Sequence, residues 1–232
     1  MKKYAILLLS LALSAAAQSQ EEIRDPGQVG SHANQLEDEA VALSNRLVTQ
    51  ADSARYASML TQLYDSDPYN EKYFAWILQF YDSPRQHHRL ETFVDERLQK
   101  EPDSTMPWIL KGEIAMRAQR WDEAVEAYLS ADKIDPNSLP VVFNIGISMT
   151  QRAMELRTEK LNTKKTLTKR DIDDIRTSFT DAKTYLEKAR AMDPHRKKVD
   201  WVTALYMVYY TLGEKEKADE LEPLVHGFKQ VY

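Results

Sequence analysis

Residues 105–138 read TMPWILKGEIAMRAQRWDEAVEAYLSADKIDPNS, and this stretch decides the fold. Trp108, Lys111, Gly112 and Ala115 recur at helical spacing and form one stripe of a first helix. Pro107 falls in the first turn, where a missing N–H costs nothing. Trp121 and Asp122-Glu123 open a second helix with Ala124, Tyr128 and Ala131 at i, i+4 and i+7, and Pro136 closes the unit. Gly112 and Ala124 stand where the two helices should cross. A large side chain there would push them apart, and Tyr128 fills the space beyond. The unit is periodic: Asp67-Pro68, Glu101-Pro102 and Asp135-Pro136 place their prolines 34 residues apart. A fixed period of that size is the signature of a stacked array of helical hairpins. Such arrays usually bind other proteins and rarely carry out chemistry.

The phase extends in both directions. One period earlier, Phe74, Ile77, Leu78 and Tyr81 occupy the first stripe. Ser83-Pro84-Arg85-Gln86 then reads as a capping box with proline in the first turn, before Leu90, Val94 and Leu98. Earlier still, Ala40, Leu43, Ser44 and Leu47 precede Tyr56, Leu60 and Leu63, a degenerate unit of the kind found at the ends of arrays. One period later, Val142, Ile145, Gly146 and Met149 restart the stripe, with Gly146 34 residues after Gly112. The closing half, Ala182, Leu186, Ala189 and Asp193-Pro194, arrives late. Pro194 follows Pro136 by 58 residues rather than 34, so the fourth unit carries 24 more. A fifth unit contains Trp201, Leu205, Val208, Tyr209, Gly213, Ala218 and Leu221, and Pro223 should end its second helix.

Unit 105–138 resembles a tetratricopeptide repeat. That family's pattern is Trp, two residues, Leu-Gly, two residues, Tyr, then Ala, three residues, Phe, and a closing Pro. Trp108, Gly112, Ala124, Tyr128, Ala131 and Pro136 meet it in order, while Lys111 and Ala115 depart from it. The resemblance covers about residues 37–222, with one strong repeat and four weaker ones. It implies an all-α fold over residues 31–232, a right-handed α-solenoid of about five hairpins with the fourth extended by an insertion. It also implies a concave groove lined by the first helices. Transferring the phase places Trp76 and Gln79, then Ile109, Glu113 and Met116, then Phe143, Asn144 and Ile147, and lastly Tyr206, Tyr209 and Tyr210 in that groove. Tyr73 to Tyr81 and Trp201 to Leu212 are apolar or aromatic nearly all round. A helix with one buried face should be polar on the other. The surplus must therefore meet another repeat, the tail, a second subunit or a ligand. Some subgroups grip peptide carboxylates with Lys, Arg and Asn in this groove. Only Asn144 matches here, so an apolar or aromatic-rich segment is the expected ligand.

The insertion lies between the paired helices of the fourth unit. Thr168-Lys169-Arg170-Asp171 reads as a capping box, after which Ile172, Ile175, Phe179, Ala182 and Leu186 keep one apolar face. Both helices should be about two turns longer than their neighbours, around a tip near 161–168, and project roughly 12–15 Å. The tip carries Lys160, Lys164, Lys165, Lys169 and Arg170. These residues read either as a docking spur for an acidic partner or phosphate headgroups, or as a solvated helix end neutralised by Asp171, Asp173 and Asp174.

Composition sets the remaining bounds. The chain has 232 residues, a formal charge of −5, six glycines and no cysteine. Few breakers among many strong helix formers agree with an all-helical chain. A mildly acidic chain lacks the basic stripe of a nucleic-acid binder. Without cysteine there are no disulfides and no thiol chemistry. Lys2-Lys3, the apolar run Tyr4 to Leu13 and Ala15-Ala16-Ala17 read as a secretory signal over residues 1–17, followed by a flexible leader over 18–30. The expected location is the periplasm of a Gram-negative bacterium, or outside the cell, with no membrane contact after cleavage. No His-Glu-x-x-His, Gly-x-Ser-x-Gly or phosphate-cradling glycine loop occurs. His32, His87, His88, His195 and His226 do not converge. No catalysis, metal or cofactor is expected. The expected function is an exported scaffold that binds a protein or peptide. The alternatives are a homodimer built on the aromatic C-terminal helix and, more remotely, a hydrolase or ligand carrier.

Overall fold

A computed structural model describes residues 26–81, 87–164 and 166–225. The signal segment, the Ser83–Gln86 capping box and Lys165 lie outside them. Among the described residues there are ten α-helices and no strand. They are α1 (Pro26–Ser44), α2 (Gln50–Ser66), α3 (Glu71–Tyr81), α4 (His87–Lys100), α5 (Thr105–Arg117), α6 (Trp121–Ile134), α7 (Leu139–Thr163), α8 (Lys169–Met192), α9 (Val202–Leu212) and α10 (Lys215–Leu221). A 3₁₀ turn at Glu222–Leu224 follows, with Pro223 inside it. Consecutive helices pair as five hairpins, the architecture of a tetratricopeptide-type α-solenoid. The acidic-proline punctuation does what its period implies. Asp67, Asp135 and Asp193 are the C-caps of α2, α6 and α8, and each is followed by a proline that cannot continue the helix. One expectation needs correction: residues 26–30, assigned to the leader, already belong to α1.

The chain divides into two compact units, residues 1–100 and 101–232. In the first, α1 packs on α2, α2 on α3 and α3 on α4. Tyr56, Leu60, Leu63 and Tyr64 of α2 and Phe74 and Ile77 of α3 form its core. Thr49 caps α2 by accepting from the Asp52 N–H at 3.0 Å, and Asp52 accepts in return from the Thr49 N–H at 2.9 Å. Arg97 stacks over Tyr64 and Phe93, whose rings meet edge to face at 5.4 Å, and it pairs with Asp65.

In the second unit α5 packs on α6, α6 on α7, α7 on α8, and α9 on both α8 and α10. Its core holds Met106, Leu110, Ala124, Tyr128, Ala131, Ile145, Phe179, Leu186 and Leu205, all nearly inaccessible. α7 has 25 residues against 13 in α5, and α8 has 24 against 14 in α6. At 1.5 Å per residue the fourth hairpin overhangs the third by about 15–18 Å, slightly more than expected. The base of α8 is fixed by Asp193. Its carboxylate accepts from the N–H groups of Lys197 (3.0 Å), Lys198 (2.7 Å) and Val199 (3.0 Å), while its carbonyl accepts from Trp201 Nε1 at 2.8 Å. Burial opposes ionisation of Asp193, but the three amides win and hold its carboxyl below the usual range. That turn sets where the fifth hairpin begins. Gly213, at φ 77°, supplies the left-handed residue that ends α9.

Candidate functional site

The second unit is built around one close approach. Gly112 lacks a side chain, so the fully buried Tyr128 ring lies directly on α5; a Cβ at Gly112 would stand 2.7 Å from Tyr128 Cζ. This delivers the tyrosine hydroxyl to Glu113, which accepts from it at 3.4 Å. The same hydroxyl is hydrogen-bonded to Asn144 on α7. Arg117 Nε donates to the other Glu113 oxygen at 3.0 Å, one turn along α5. Burial raises the Glu113 carboxyl above its usual range, and the Arg117 charge offsets this only in part. Burial, reinforced by Glu113, also pushes the Tyr128 phenol well above its ordinary value. Next to this chain of groups, Asn144 Oδ1 and Ser148 Oγ are buried with no hydrogen-bond partner. They stand four residues apart, on one face of α7. A buried acceptor without a donor costs about 1–3 kcal/mol. Glu113, Asn144 and Ser148 therefore form a polar floor beside the apolar core of this unit.

Several residues assigned to the groove are not open to a partner. Ile109, Phe143 and Tyr209 are buried core residues, and Glu113 and Asn144 belong to the floor. Residues beside the core stripe of a solenoid helix are covered by the next hairpin, so one transferred phase cannot separate core from groove. Met116, Ile147 and Tyr206 are half-buried, and Tyr210 is 69% exposed. Tyr206 and Tyr210 stack one turn apart on α9, with centroids 6.2 Å apart. Tyr209 points the other way, donating to Glu187 at 2.9 Å, and burial is the main reason its phenol is pushed up to about 12. In the first unit, Trp76 is half-buried beneath the Lys72 ammonium at 5.5 Å, and Gln79 is exposed.

The basic spur is less basic than its sequence. Asp171 is buried in the first turn of α8, where it accepts from Lys160 Nζ at 2.8 Å and Lys164 Nζ at 2.7 Å. It also closes the expected capping box, accepting from the Thr168 N–H at 3.0 Å, while its own N–H donates to Thr168 Oγ1 at 3.2 Å. Lys160, Lys164 and Thr168 together hold the Asp171 carboxyl far below the usual carboxylate range. Lys160 and Lys164 thus serve the turn rather than a partner. Lys169 and Arg170 are exposed. Among the described residues, no group of three His, Cys, Asp or Glu could hold a metal, and no helix is long and apolar enough to cross a membrane.

No protein-family model and no curated protein matches the chain. Solved structures do. The human IFIT1 dimer with m7Gppp-AAAA aligns at TM-score 0.56 and 19% identity, over 89% of this chain and 44% of IFIT1. A monomeric IFIT1 mutant with Gppp-AAAA aligns at TM-score 0.56 and 19% identity, over 94% of this chain and 45% of that one. MamA MSR-1 C2 aligns at TM-score 0.47 and 17% identity, over 83% of this chain and 98% of its own length. The chain spans less than half of the IFIT1 structures it matches. At such identities the likeness establishes the fold, a tetratricopeptide-type helical repeat.

Proposed function

We propose that the chain is an exported, non-catalytic scaffold that binds a protein or peptide along the inner side of its second unit. The observation that carries this reading is a set of partly accessible apolar side chains at positions the repeat phase assigns to the groove: Met116, Ile147 and Tyr206. A peptide supplies apolar and aromatic side chains at regular intervals, the chemistry that covers such a surface. The IFIT1 structures contain capped RNA fragments. The formal charge of −5 on this chain argues against a phosphate-rich ligand here. Export is supported by Lys2-Lys3, the apolar run to Leu13 and Ala15-Ala16-Ala17.

Photo-crosslinking tests the binding reading. A benzoylphenylalanine placed at Met116, Ile147 or Tyr206 should crosslink to a partner in cells, whereas one at Ile134 or Met192, exposed on second helices, should not. Equal crosslinking from both sets would defeat it. Fractionation and N-terminal sequencing test export: the mature chain should begin at Gln18, outside the cytoplasm. The exposed Tyr210, stacked on Tyr206, supports a second reading, a homodimer through α9. In that case the Tyr206 crosslink would join two copies of this chain.

A further inference from the structure

We infer that the overhanging part of the fourth hairpin carries a second docking surface, and that its occupant is an acidic amphipathic helix of a partner protein. The inference rests on the scaffold reading only in taking that partner to be a protein. The chain itself shows how this surface is covered. On α8, Lys183 Nζ reaches Glu214 at 2.5 Å, and Arg190 reaches Glu220 at 2.7 Å. Lys217 of α10 reaches back to Glu187 of α8 at 3.4 Å, and α10 buries Ala218 and Leu221. The fifth hairpin therefore docks with two carboxylates set against cations of α8, one lysine set against Glu187, and apolar side chains beside them.

The same line of α8 carries further cations toward the tip, with none of the described residues paired to them. Residues seven apart on a helix fall within about 20° of one line. Arg176 and Lys169 precede Lys183 by seven and fourteen residues, and Ile172 by eleven, which again returns to that line. All three are exposed, Ile172 at 47%, and neither Arg176 nor Lys169 has an ion pair among the described residues. α7 contributes to the same side. Its opposite side faces α6, where Arg152 pairs with Asp122 at 3.3 Å and Glu155 accepts from Trp121 at 2.7 Å. Leu161, nine residues beyond Arg152, is half a revolution away and 50% exposed. Two aliphatic side chains and two unpaired cations thus share one face.

The geometry points to a helix. The Lys183–Glu214 pair, at the α9–α10 turn, lies fourteen residues from the start of α8, so about 21 Å of α8 extends past that pair, and we take the space beside it as an inner corner. That corner takes a helix of about four turns, laid where a longer fifth hairpin would lie.

A fluorescein-labelled, 14-residue helical peptide with Glu along one edge and Leu and Ala beside it probes the surface by fluorescence anisotropy on the full chain. The chain should bind it saturably, at least tenfold more tightly than K169E/R176E does, and more weakly as NaCl rises from 50 to 500 mM. I172D should also weaken it, and the Lys-for-Glu peptide should prefer K169E/R176E. All three substituted side chains are exposed, so circular dichroism should show unchanged folding. Y206S, on the inner face, should bind the peptide normally, which separates failure here from failure of the groove reading. The inference is overturned if K169E/R176E binds as well as the original chain, or if a scrambled peptide binds equally. It is also overturned if K169E/R176E instead abolishes self-association seen by sedimentation, which would make the occupant a second copy.

Discussion

Gly112 and Gly146 occupy the same point of two successive hairpins, and the two crossings are filled by different chemistry. At Gly112 the ring end of Tyr128 lies against the helix, 2.7–2.8 Å from where a Cβ would be. At Gly146 the near end of Leu186 does so: Cγ at 2.8 Å and the backbone nitrogen at 3.2 Å. The repeat fixes how closely two backbones approach. The side chain that fills the gap fixes whether the crossing is wet or dry. Tyr128 carries a hydroxyl through the core to Glu113 and Asn144, so the third crossing organises a polar floor. Leu186 carries nothing, so the fourth crossing is a clamp holding two long helices at the base of their overhang.

The largest effect should come from closing the gaps. Gly112→Ala and Gly146→Ala each gain about 1 kcal/mol of helix propensity and lose about 1–3 kcal/mol to overpacking. Gly146→Ala should be the worse of the two, because backbone on α8 cannot move without shifting the helix, whereas Tyr128 can tilt. Urea denaturation checks both. If Gly146→Ala is as stable as the original chain, the fourth crossing is looser than described. A smaller effect separates the two crossings by chemistry. Tyr128→Phe keeps the ring on Gly112 but removes the hydroxyl that Glu113 and Asn144 share, at a cost of about 1 kcal/mol. Leu186→Met, the corresponding change of filler at the dry crossing, should cost less than Tyr128→Phe, since Leu–Met exchange nearly conserves volume. The reverse order would mean that the hydroxyl adds nothing to the floor.

The part of this architecture legible in the sequence is the part set by local rules. The proline period, the Gly112–Gly146 spacing and the Thr168–Asp171 box depend on residues near one another in the chain, and each marks the element it implied. The Thr49–Asp52 box follows the same Thr-x-x-acid signal and was open to the same reasoning. The site was legible only in outline. Ile109, Phe143 and Tyr209 lie beside the core stripe, and whether such a residue lines a groove depends on what the next hairpin covers. For Lys160 and Lys164 the sequence left two readings, a docking spur or a helix end neutralised by nearby aspartates, and the contacts to Asp171, 11 and 7 residues away across a turn, are what separates them. The floor gave one signal, a glutamate and an asparagine on the first helices of successive units, 31 residues apart, but its unpaired oxygens depend on where Tyr128 directs its hydroxyl.

The smallest effect is a pH slope, and it belongs to the wet crossing alone. Burial raises the Glu113 carboxyl in the folded chain, so folding favours its protonated form. The stability this contributes is complete below the unfolded value, about 4.3, and is lost as pH rises through the folded value. Asp171, Asp193 and Glu214 run the other way. Their carboxyls are held down, so their contributions are complete above the unfolded values and are lost only as pH falls. Between pH 4.5 and 7 those groups are silent, and the Glu113 contribution is read as the difference between the original chain and a variant that lacks the carboxyl. Glu113→Gln keeps the shape and a hydrogen-bonding oxygen but cannot titrate. The melting temperature of the original chain should therefore fall relative to that of Glu113→Gln as pH rises across this interval. Leu186→Met, at the dry crossing, should run parallel to the original chain. Parallel curves for Glu113→Gln would mean that Glu113 stays ionised in the fold, with Arg117 rather than burial governing it.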